Sequence, residues 1–303
     1  MSSRTLVGTA SWADKALVES GWYPQGMSSA EERLRYYASQ FPLVEVDSSY
    51  YAMPSVHNAA LWAERTPDGF VFDVKAFRLF TRHQTPMDAL PADIRQALPP
   101  QPGQKKNVYY QEVPAELRDE LWRRFQEALL PLATTGKLGV VLFQFPPWFY
   151  PSRENAAHIL ECAERLGGFR LAVEFRRGSW VEGPRQERTL ALLRENGLAY
   201  VAVDEPQGFG SSVPTVAAVT SPEVAILRLH GRNAQTWEMK GLASSAQRFN
   251  YLYSEEELRG LVPTVRRLAD EAQQVHVVFN NCYHNYAPTN ARQMAELLQQ
   301  TIG

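Results

Sequence analysis

Eight short apolar runs, rich in β-branched residues, constrain the fold of this 303-residue chain more than any other feature of its sequence. Each run has the length of a strand, and most are separated from the next by a segment with helical periodicity. The runs are TLVGTAS (5–11), LVEVDS (43–48), FVFDVKA (70–76), LGVVLFQF (138–145), RLAVEF (170–175), AYVAVD (199–204), AILRLH (225–230) and VHVVFN (275–280). Strands that alternate with helices predict parallel βαβ units, and eight strands close a TIM barrel.

The length of the chain predicts one (β/α)8 barrel domain over residues 1–303. A hydrophobic content of 45% is enough for a sizeable core, and a typical TIM barrel needs about 250 residues. Two insertions account for the excess, one at about 77–113 after the third strand and one at 231–253 after the seventh. Both follow the C-terminal end of a strand, where barrel active sites are built.

Composition and charge exclude several classes of protein. A formal net charge of -2 gives no global electrostatic basis for a nucleic-acid or membrane partner. No apolar run approaches the roughly 20 residues that span a bilayer, and MSSRTLVGTA has no signal-peptide core. Cys162 and Cys282 lie far apart and are predicted to be free thiols. The sequence therefore predicts a cytoplasmic protein with no membrane partner.

Polar side chains interrupt the predicted strands on one face only. Because strand side chains alternate, one face of each barrel strand meets the helices and the other points inward. The uniformly apolar face should meet the helices. The inward polar residues are then Glu45, Asp47, Asp73, Lys75, Gln144, Glu174, Arg176, Asp204, Arg228, His230 and Asn280, with Asn281 next to the last. They cluster at the C-terminal ends of seven strands, where catalytic residues of TIM barrels lie.

Two interpretations of these inward charges stay open. A buried charge is costly unless it is paired or used, so an ion-pair network that fills the barrel would explain Glu45, Asp73 and Arg228, one layer deeper than the rest. The outer layer favours a functional site. Its members are Lys75, Glu174, Arg176, Asp204 and His230.

Aromatic residues follow several strand ends and favour a particular kind of ligand. The tryptophans at strand ends are Trp12, Trp22, Trp148, Trp180 and Trp237, with Tyr50 among the tyrosines. Rings stack on bases or sugars, while arginine and lysine bind carboxylate or phosphate. His83, in the loop after the third strand, is also placed to reach over the barrel mouth. A ligand with a flat or sugar-like face and an anionic part would fit this combination.

Several motifs together are similar to one family. They are VGTASW, FPLVEVDSSYYAMPS, FVFDVKAFRLFTRH, LGVVLFQFPPWF, LAVEFRRGSW, AILRLHGR, FNYLYSEEEL and VFNNCYHNYAPTNA, and they run from residue 7 to about 291. The chain resembles the YecE-like family, or domain of unknown function 72 (DUF72). The resemblance implies a TIM barrel and leaves the activity open. Asp47 stands where the family usually has asparagine, and His83 fits its Thr-His element with Arg82 inserted.

The first function that these residues suggest is metal-independent acid/base catalysis on an anionic sugar- or nucleotide-like molecule, by a hydrolase, lyase or isomerase. Glu174 is the leading acid/base candidate, with Asp204 or His230 as its partner. Lys75 is the candidate Schiff-base nucleophile. Arg176 and Arg228 would hold the anion together with Lys75. The other predicted substrate-binding residues are Asp47, Tyr50, Gln144, Trp180, Asn280, Asn281, Trp12 and His83.

Two further classes of function remain as alternatives. No cofactor is predicted, but Glu174, Asp204 and His230 are ligand types for a divalent metal, as in a metal-dependent isomerase or phosphodiester hydrolase. Arg176 and Arg228, which are interleaved with these candidate ligands, disfavour a divalent metal ion because their positive charges repel it. The other alternative is a non-catalytic binding barrel, in which the Lys105-Lys106-Asn107 stretch with Tyr109 and Tyr110 contacts nucleic acid.

Overall fold

A computed structural model describes residues 3–99, 106–242 and 244–300. Eight parallel strands form one closed barrel, in which each strand pairs with its neighbours in the chain and the last pairs with the first. The strands are β1 (Arg4–Ala10), β2 (Leu43–Val46), β3 (Val71–Lys75), β4 (Leu138–Gln144), β5 (Leu171–Glu174), β6 (Ala199–Asp204), β7 (Val224–Leu229) and β8 (Gln274–Phe279). The predicted eight-stranded α/β barrel is confirmed.

Helices cover the outside of the barrel. The α-helices in the described part of the chain are α1 (Lys15–Glu19), α2 (Ala30–Gln40), α3 (Ser48–Tyr51), α4 (Val56–Glu64), α5 (Ala92–Ala97), α6 (Ala115–Thr134), α7 (Arg153–Arg165), α8 (Arg185–Glu195), α9 (Glu255–Glu271) and α10 (Tyr286–Gln300). Capping boxes at Ser29 and Ser254 satisfy the first amides of α2 and α9. None of these helices is both long and apolar enough to cross a bilayer.

One crossover departs from the strand–helix alternation. Residues 205–223, which join β6 to β7, contain no helix. Their apolar stretch from Val216 to Val219 packs half-buried against the core, and Arg267 of α9 donates a hydrogen bond to the Ala217 carbonyl. Thr220 anchors the end of the segment, since its hydroxyl accepts from the Tyr200 amide at 2.7 Å. We call residues 205–223 the strap, because an extended segment covers this side of the barrel.

Both long insertions contain secondary structure. In the first, Thr85–Pro86 pairs antiparallel with Asn107–Val108, and short 3-10 helices occur at Met87–Ala89 and Tyr110–Glu112. The second contains a 3-10 turn at Ser245–Gln247. Residues 100–105 and residue 243 lie outside the described part of the chain. A further 3-10 turn, Gly178–Trp180, follows β5.

The strand register places the inward residues in layers. The helix-facing residues Val44, Phe72 and Val74 are fully buried in the main core. Glu45 of β2 lies opposite Asp73 of β3. Nearer the C-terminal end, the inward residue Gln144 of β4 is paired in register with Glu174 of β5. The alternation predicted from the sequence therefore brings the inward polar side chains toward one another across the barrel axis.

Candidate functional site at the barrel mouth

Arg228 lies at the centre of a closed ion-pair network inside the barrel. Its side chain is fully buried. Nε and Nη2 donate to the two carboxylate oxygens of Glu45 at 2.9 and 2.7 Å, and Nη1 donates to Oε2 of Glu174. All three guanidinium nitrogens are engaged, so Arg228 does not reach the barrel mouth. The prediction that Arg228 holds the substrate is corrected by this placement.

Asp73 forms a second closed pair, nearer the N-terminal end of the barrel. Its carboxylate accepts from Nδ1 of His276 at 2.9 Å and from the Val140 amide at 3.0 Å. Asp73 and His276 are both buried. For Glu45, Asp73 and Arg228, the geometry therefore favours the structural interpretation of the inward charges.

Glu174 connects this network to the mouth. Its Oε1 accepts from Gln144 Nε2 at 2.6 Å and contacts His230 Nε2 at 3.1 Å. Burial acts to raise the pKa of Glu174, but the charge of Arg228 and the contact with His230 outweigh it and hold the pKa well below its ordinary value. Glu174 is thus an ionised, fully buried acceptor. It orients Gln144 and His230 and does not itself line the open cleft.

His230 has one tautomer that satisfies its neighbours. Nδ1 lies 2.8 Å from the amide nitrogen of Asn280, which can only donate, so Nδ1 accepts and Nε2 carries the proton given to Glu174. Burial lowers the pKa of His230 to about 3. The imidazole is therefore neutral, and Asn280 connects it to the mouth.

Gly231 allows the chain to turn directly after His230. Its φ is +83°, a region that glycine enters without strain. A Cβ at this position would lie 2.7 Å from the Cβ of Tyr251. The Gly231 amide instead donates to the Tyr253 hydroxyl at 2.9 Å, which fixes the turn that aims His230 inward.

Asp204 is held apart from the other predicted catalytic residues. Arg232 donates to its carboxylate from Nε at 2.9 Å and from Nη2 at 2.7 Å, and the Tyr253 hydroxyl donates at 2.8 Å. Asp204 lines a separate depression with Arg232. Among the described residues, no group of three His, Cys, Asp or Glu side chains is arranged to hold a metal ion. The predicted set of Glu174, Asp204 and His230 is therefore not brought together as metal ligands.

An open cleft of about 520 Å³ lies at the mouth of the barrel. Eight of the predicted site residues line it: Trp12, Asp47, Tyr50, Lys75, His83, Gln144, Arg176 and Asn280. Sequence reasoning missed other lining residues, among them Asp14, Tyr51, Arg248, Phe249 and Cys282. Arg248 and Phe249 come from the second long insertion, so this loop does build part of the site, as its position after β7 suggested.

A larger groove of about 880 Å³ lies on the outer surface beside α9 and α10. None of the predicted site residues lines it. It lies by the start of β1, away from the C-terminal strand ends. We therefore place the candidate chemistry at the smaller cleft, where the charged side chains converge.

Lys75 is a cation held in place at the edge of the cleft. Its Nζ donates to Asp47 Oδ1 at 2.7 Å and lies 5.0 Å from the centre of the Tyr50 ring. Burial acts to lower the pKa of Lys75, but Asp47 outweighs it and the pKa is raised. A permanently charged ammonium is a poor nucleophile. The geometry therefore favours Lys75 as an anion-binding residue over the Schiff-base role.

Arg176 has unused donors at the cleft. Its Nη1 lies 3.6 Å from Glu174 Oε1 and 3.3 Å from Glu205 Oε2, and its guanidinium stacks 4.6 Å from the centre of the Trp237 ring. These contacts are ionic and stacking contacts. Within the described part of the chain, Arg176 donates no hydrogen bond. Arg248, another cation of the cleft, donates to the Met239 carbonyl at 3.0 Å, and its buried Nε has no hydrogen-bond partner among the described residues.

Glu205 is a buried carboxyl that sequence reasoning missed. Its Oε1 accepts from the Val213 amide of the strap at 2.7 Å, whereas its Oε2 has no hydrogen-bond partner. Burial raises the pKa of Glu205 to about 7, against the opposing charge of Arg176. This carboxyl therefore exchanges a proton near neutral pH. Its position directly after the sixth strand was the signal that could have found it.

His83 presents an unprotonated nitrogen. Its Nδ1 lies 2.8 Å from the Thr81 hydroxyl, and that hydroxyl donates its single proton to the Arg78 carbonyl at 3.1 Å. In the tautomer in which this hydroxyl accepts from Nδ1–H, Nε2 keeps a free lone pair. Burial, with the charges of Lys75, Arg78 and Arg176, lowers the pKa of His83 to about 3.

Two predicted ligand contacts are structural instead. Trp180 is buried, donates from Nε1 to the Phe149 carbonyl at 2.6 Å and stacks on Phe175. The 3-10 turn after β5 folds it away from the mouth. Asn281 is buried, and its Nδ2 donates to Asn290 and to the Tyr251 carbonyl, each at 2.9 Å. Both placements correct the prediction that these residues contact the substrate.

The basic stretch that suggested nucleic-acid contact offers little surface. Lys105 lies outside the described residues. Tyr110 is buried, and its hydroxyl donates to Glu161 at 2.6 Å and accepts from Trp122 at 3.0 Å. Its ring therefore cannot stack on a base. Tyr109 is exposed, but it stands apart from the cleft lining.

The barrel and its motifs match one family. Residues 6–302 match the family described as "Protein of unknown function DUF72". The chain belongs to the DUF72 family. It is 34% identical to the UPF0759 protein YunF of Bacillus subtilis strain 168, over 96% of this chain and 94% of that protein. The resemblance found in the sequence motifs is confirmed.

Solved structures of DUF72 proteins have the same fold. A family member from Enterococcus faecalis V583 is 29% identical, with a TM-score of 0.79 over 97% of this chain and 95% of that one. Another, from Thermotoga maritima MSB8, is 29% identical, with a TM-score of 0.75 over 98% of this chain and 99% of that one. The barrel is thus similar to DUF72 crystal structures along almost its whole length.

Proposed function

We propose that this DUF72 protein is a metal-independent enzyme that binds a small anionic molecule at the barrel mouth and transfers a proton to or from it. The observation that carries the proposal is the guanidinium of Arg176, which lines the cleft and donates no hydrogen bond to a described residue. A planar guanidinium with open donors suits a carboxylate or phosphate, which it binds through two parallel hydrogen bonds.

The charges around the cleft support an anionic ligand. Lys75, Arg176 and Arg248 line it, against the carboxylates of Asp14 and Asp47. Asp47 is already paired with Lys75. A phosphate or carboxylate would satisfy donors that have no acceptor among the described side chains. Gln144 and Asn280 add amide groups to the lining of the cleft.

His83 is the proposed base within this cleft. The lone pair on Nε2 can accept a proton, but the low pKa of the imidazole makes the empty site a weak base. An anion bound to Lys75 and Arg176 would cancel part of the positive charge that lowers this pKa. Burial still lowers the pKa of His83, but the part of the shift caused by these cations decreases when substrate is bound, which makes the imidazole a stronger base in the complex than in the free protein.

Glu174, His230 and Asp204 have supporting roles in this proposal. Glu174 keeps Gln144 and His230 in place, and His230 positions Asn280. Asp204 fixes Arg232 and Tyr253 outside the cleft. The reaction class that fits a base beside an anion site is isomerisation, elimination or hydrolysis. Proton transfer by a positioned side chain contributes about 10²–10⁴-fold to such rates.

The experiment that tests the anion site is calorimetric titration with inorganic phosphate, sulfate and citrate. Arg176→Gln should weaken binding at least about 10-fold, since hydrogen bonds to charged groups are worth about 1.5–3 kcal/mol. Arg170→Gln is the matched control, because Arg170 precedes β5 at the other end of the barrel, where it approaches Glu223 at 3.8 Å and donates to the Leu138 carbonyl at 3.5 Å. No anion binding by the wild type, or equal losses in both variants, would contradict the proposal.

The catalytic part is tested with a panel of phosphorylated and carboxylated sugars and nucleotides, with products followed by mass spectrometry. We expect turnover of at least one compound. His83→Gln should remove that turnover while phosphate binding persists. Anion binding without turnover of any panel member, at any pH between 6 and 9, would favour a non-catalytic binding barrel instead.

A further inference from the structure

A row of four rings borders one side of the cleft. The centre of the Tyr50 ring lies 5.0 Å from Tyr51 and 5.2 Å from His83, and His83 lies 5.7 Å from Trp148. The two rings at the ends of the row are open to solvent, with Tyr51 52% and Trp148 55% exposed. We call these four residues the aromatic row. It begins inside the cleft and extends beyond it.

The exposed apolar side chains of the molecule are concentrated on this face. Of the eight large hydrophobic residues that are exposed among the described ones, seven follow the C-terminal end of a strand. These seven are Tyr51, Val56, Tyr109, Trp148, Tyr150, Met239 and Leu252, and the eighth is Leu130 on α6. Scattered exposed rings need no explanation, whereas a contiguous group beside a cleft marks a binding surface.

Cations accompany the rings. Lys75 Nζ lies 5.0 Å and the Arg78 guanidinium 5.1 Å from the centre of the Tyr50 ring. Beyond the row, the Arg177 guanidinium lies 4.5 Å from the Tyr150 ring. The Arg78 side chain forms no hydrogen bond or ion pair with a described residue, and its Nε is buried without a partner. The aromatic row therefore runs alongside positive charge that is only partly matched.

We infer that the ligand of this cleft is a nucleotide, with its phosphate bound by Lys75 and Arg176 and its base stacked on the exposed ring of Trp148. The inference rests on the proposed anion site, because the phosphate uses the same cations. A sugar phosphate or a simple carboxylate would use the cations and leave the aromatic row uncovered. A nucleotide has both an anion and a planar face, and base–aromatic stacking tolerates any base.

The dimensions of the cleft agree with this class of ligand. Its volume of about 520 Å³ lies within the range of about 300–1,000 Å³ that is usual for small-molecule sites. Two exposed ring ends, Tyr51 and Trp148, leave room for a base on either side of the phosphate. The nucleotide can therefore come from free mononucleotides or from the end of a single strand, and the experiment separates these two sources.

The test compares AMP and UMP with ribose 5-phosphate and inorganic phosphate, by titration calorimetry and by quenching of tryptophan fluorescence. The two nucleotides should bind at least fivefold more tightly than ribose 5-phosphate, the lower end of the effect of one base stack. Trp148→Ala should remove this advantage and leave phosphate binding unchanged. Tyr109→Ala, which truncates an exposed ring outside the aromatic row, should leave the nucleotide advantage intact.

A labelled ten-residue single-stranded oligoadenylate identifies the source. If the oligoadenylate binds more tightly than AMP, with an affinity that falls steeply with salt, the natural ligand is the end of a single strand. If it binds no more tightly than AMP, the natural ligand is a free nucleotide. The inference would be overturned if nucleotides bound no more tightly than ribose 5-phosphate, or if their tighter binding persisted in Trp148→Ala. In either case, binding of inorganic phosphate would still support the proposed anion site. Failure of every anion, inorganic phosphate included, would instead refute the proposed function itself.

Discussion

The deep layer of the barrel and its rim contain the same kinds of side chain, but they differ in how completely those side chains are paired. In the deep layer, all three guanidinium nitrogens of Arg228 donate to Glu45 and Glu174, and none of the three residues is open to solvent. At the rim, Arg176 makes only ionic and stacking contacts with the described residues, and one oxygen of Glu205 accepts no hydrogen bond from them.

This difference separates structural charges from functional ones more reliably than residue type does. A buried polar group that is fully paired adds to a specific fold, whereas an unpaired one is costly and calls for an explanation. One of the unpaired atoms, Glu205 Oε2, lies 3.3 Å from Arg176 Nη1, and these two residues form one group at the rim. Tyr200 and Trp237 each have a buried polar atom without a hydrogen bond, and both interact with members of this group.

The largest effect is expected from breaking the deep layer. Arg228→Met should lower the free energy of unfolding by about 3–5 kcal/mol, because Glu45 and Glu174 would remain as uncompensated buried charges. Urea denaturation followed by circular dichroism measures the change. Arg170→Met, at the outer N-terminal end, should cost less than about 0.5 kcal/mol. A small effect of Arg228→Met would mean that the deep layer is not a closed structural unit.

A smaller, pH-dependent effect is expected at the rim. Folding raises the pKa of Glu205 from its ordinary 4.5 to about 7, so the folded protein keeps a proton that the unfolded chain loses between these values. This contribution to the free energy of unfolding is fully present below pH 4.5 and is lost as the pH rises to 7. Its total is at most about 3 kcal/mol.

Glu205→Gln should remove this dependence. Urea denaturation at pH 5, 6, 7 and 8 would show a free energy of unfolding that depends less on pH in the variant than in the wild type. The stability of the variant relative to the wild type would therefore be greatest at pH 8. Glu187→Gln, an exposed carboxylate on α8, is the control and should keep the wild-type slope. An unchanged slope in Glu205→Gln would assign the titration to another group.

The smallest effect tests the unpaired hydroxyl. Tyr200→Phe should raise the free energy of unfolding by up to about 1 kcal/mol, because a buried polar atom without a hydrogen bond is removed. The same urea denaturation at pH 7 measures it. A loss of stability would instead indicate that the hydroxyl is hydrogen-bonded in solution and that the rim is better paired than its side chains suggest.

The fold and the inward face were predictable because their signals are periodic. Eight apolar runs separated by helices specify the barrel, and alternation along a strand specifies that Glu45, Glu174 and Arg228 point inward. Alternation does not say how far along the axis a group lies or whether a partner meets it there. The sequence therefore predicted correctly that Arg228 points into the barrel. It did not predict that two carboxylates, those of Glu45 and Glu174, occupy all of the guanidinium nitrogens.

The parts of the site that were missed lie where periodicity ends. Trp180 was expected on the rim, but one 3-10 turn after β5 folds it into the core. Arg248 and Phe249 come from an insertion whose path depends on tertiary contacts. Of the adjacent carboxylates Asp204 and Glu205, the sequence cannot tell which one the turn after β6 directs toward Arg176.

The strap connects the protonation of the site to one crossover of the barrel. Residues 205–223 contain no helix, and the Val213 amide within them donates to Glu205. Local unfolding begins in segments with few buried contacts, so release of the strap would hydrate Glu205 and favour its ionised form. Amide hydrogen exchange in the strap should accordingly outpace the intrinsic increase with pH between about 4.5 and 7 and follow it above that range, which makes this crossover a local reporter of the protonation state of the site.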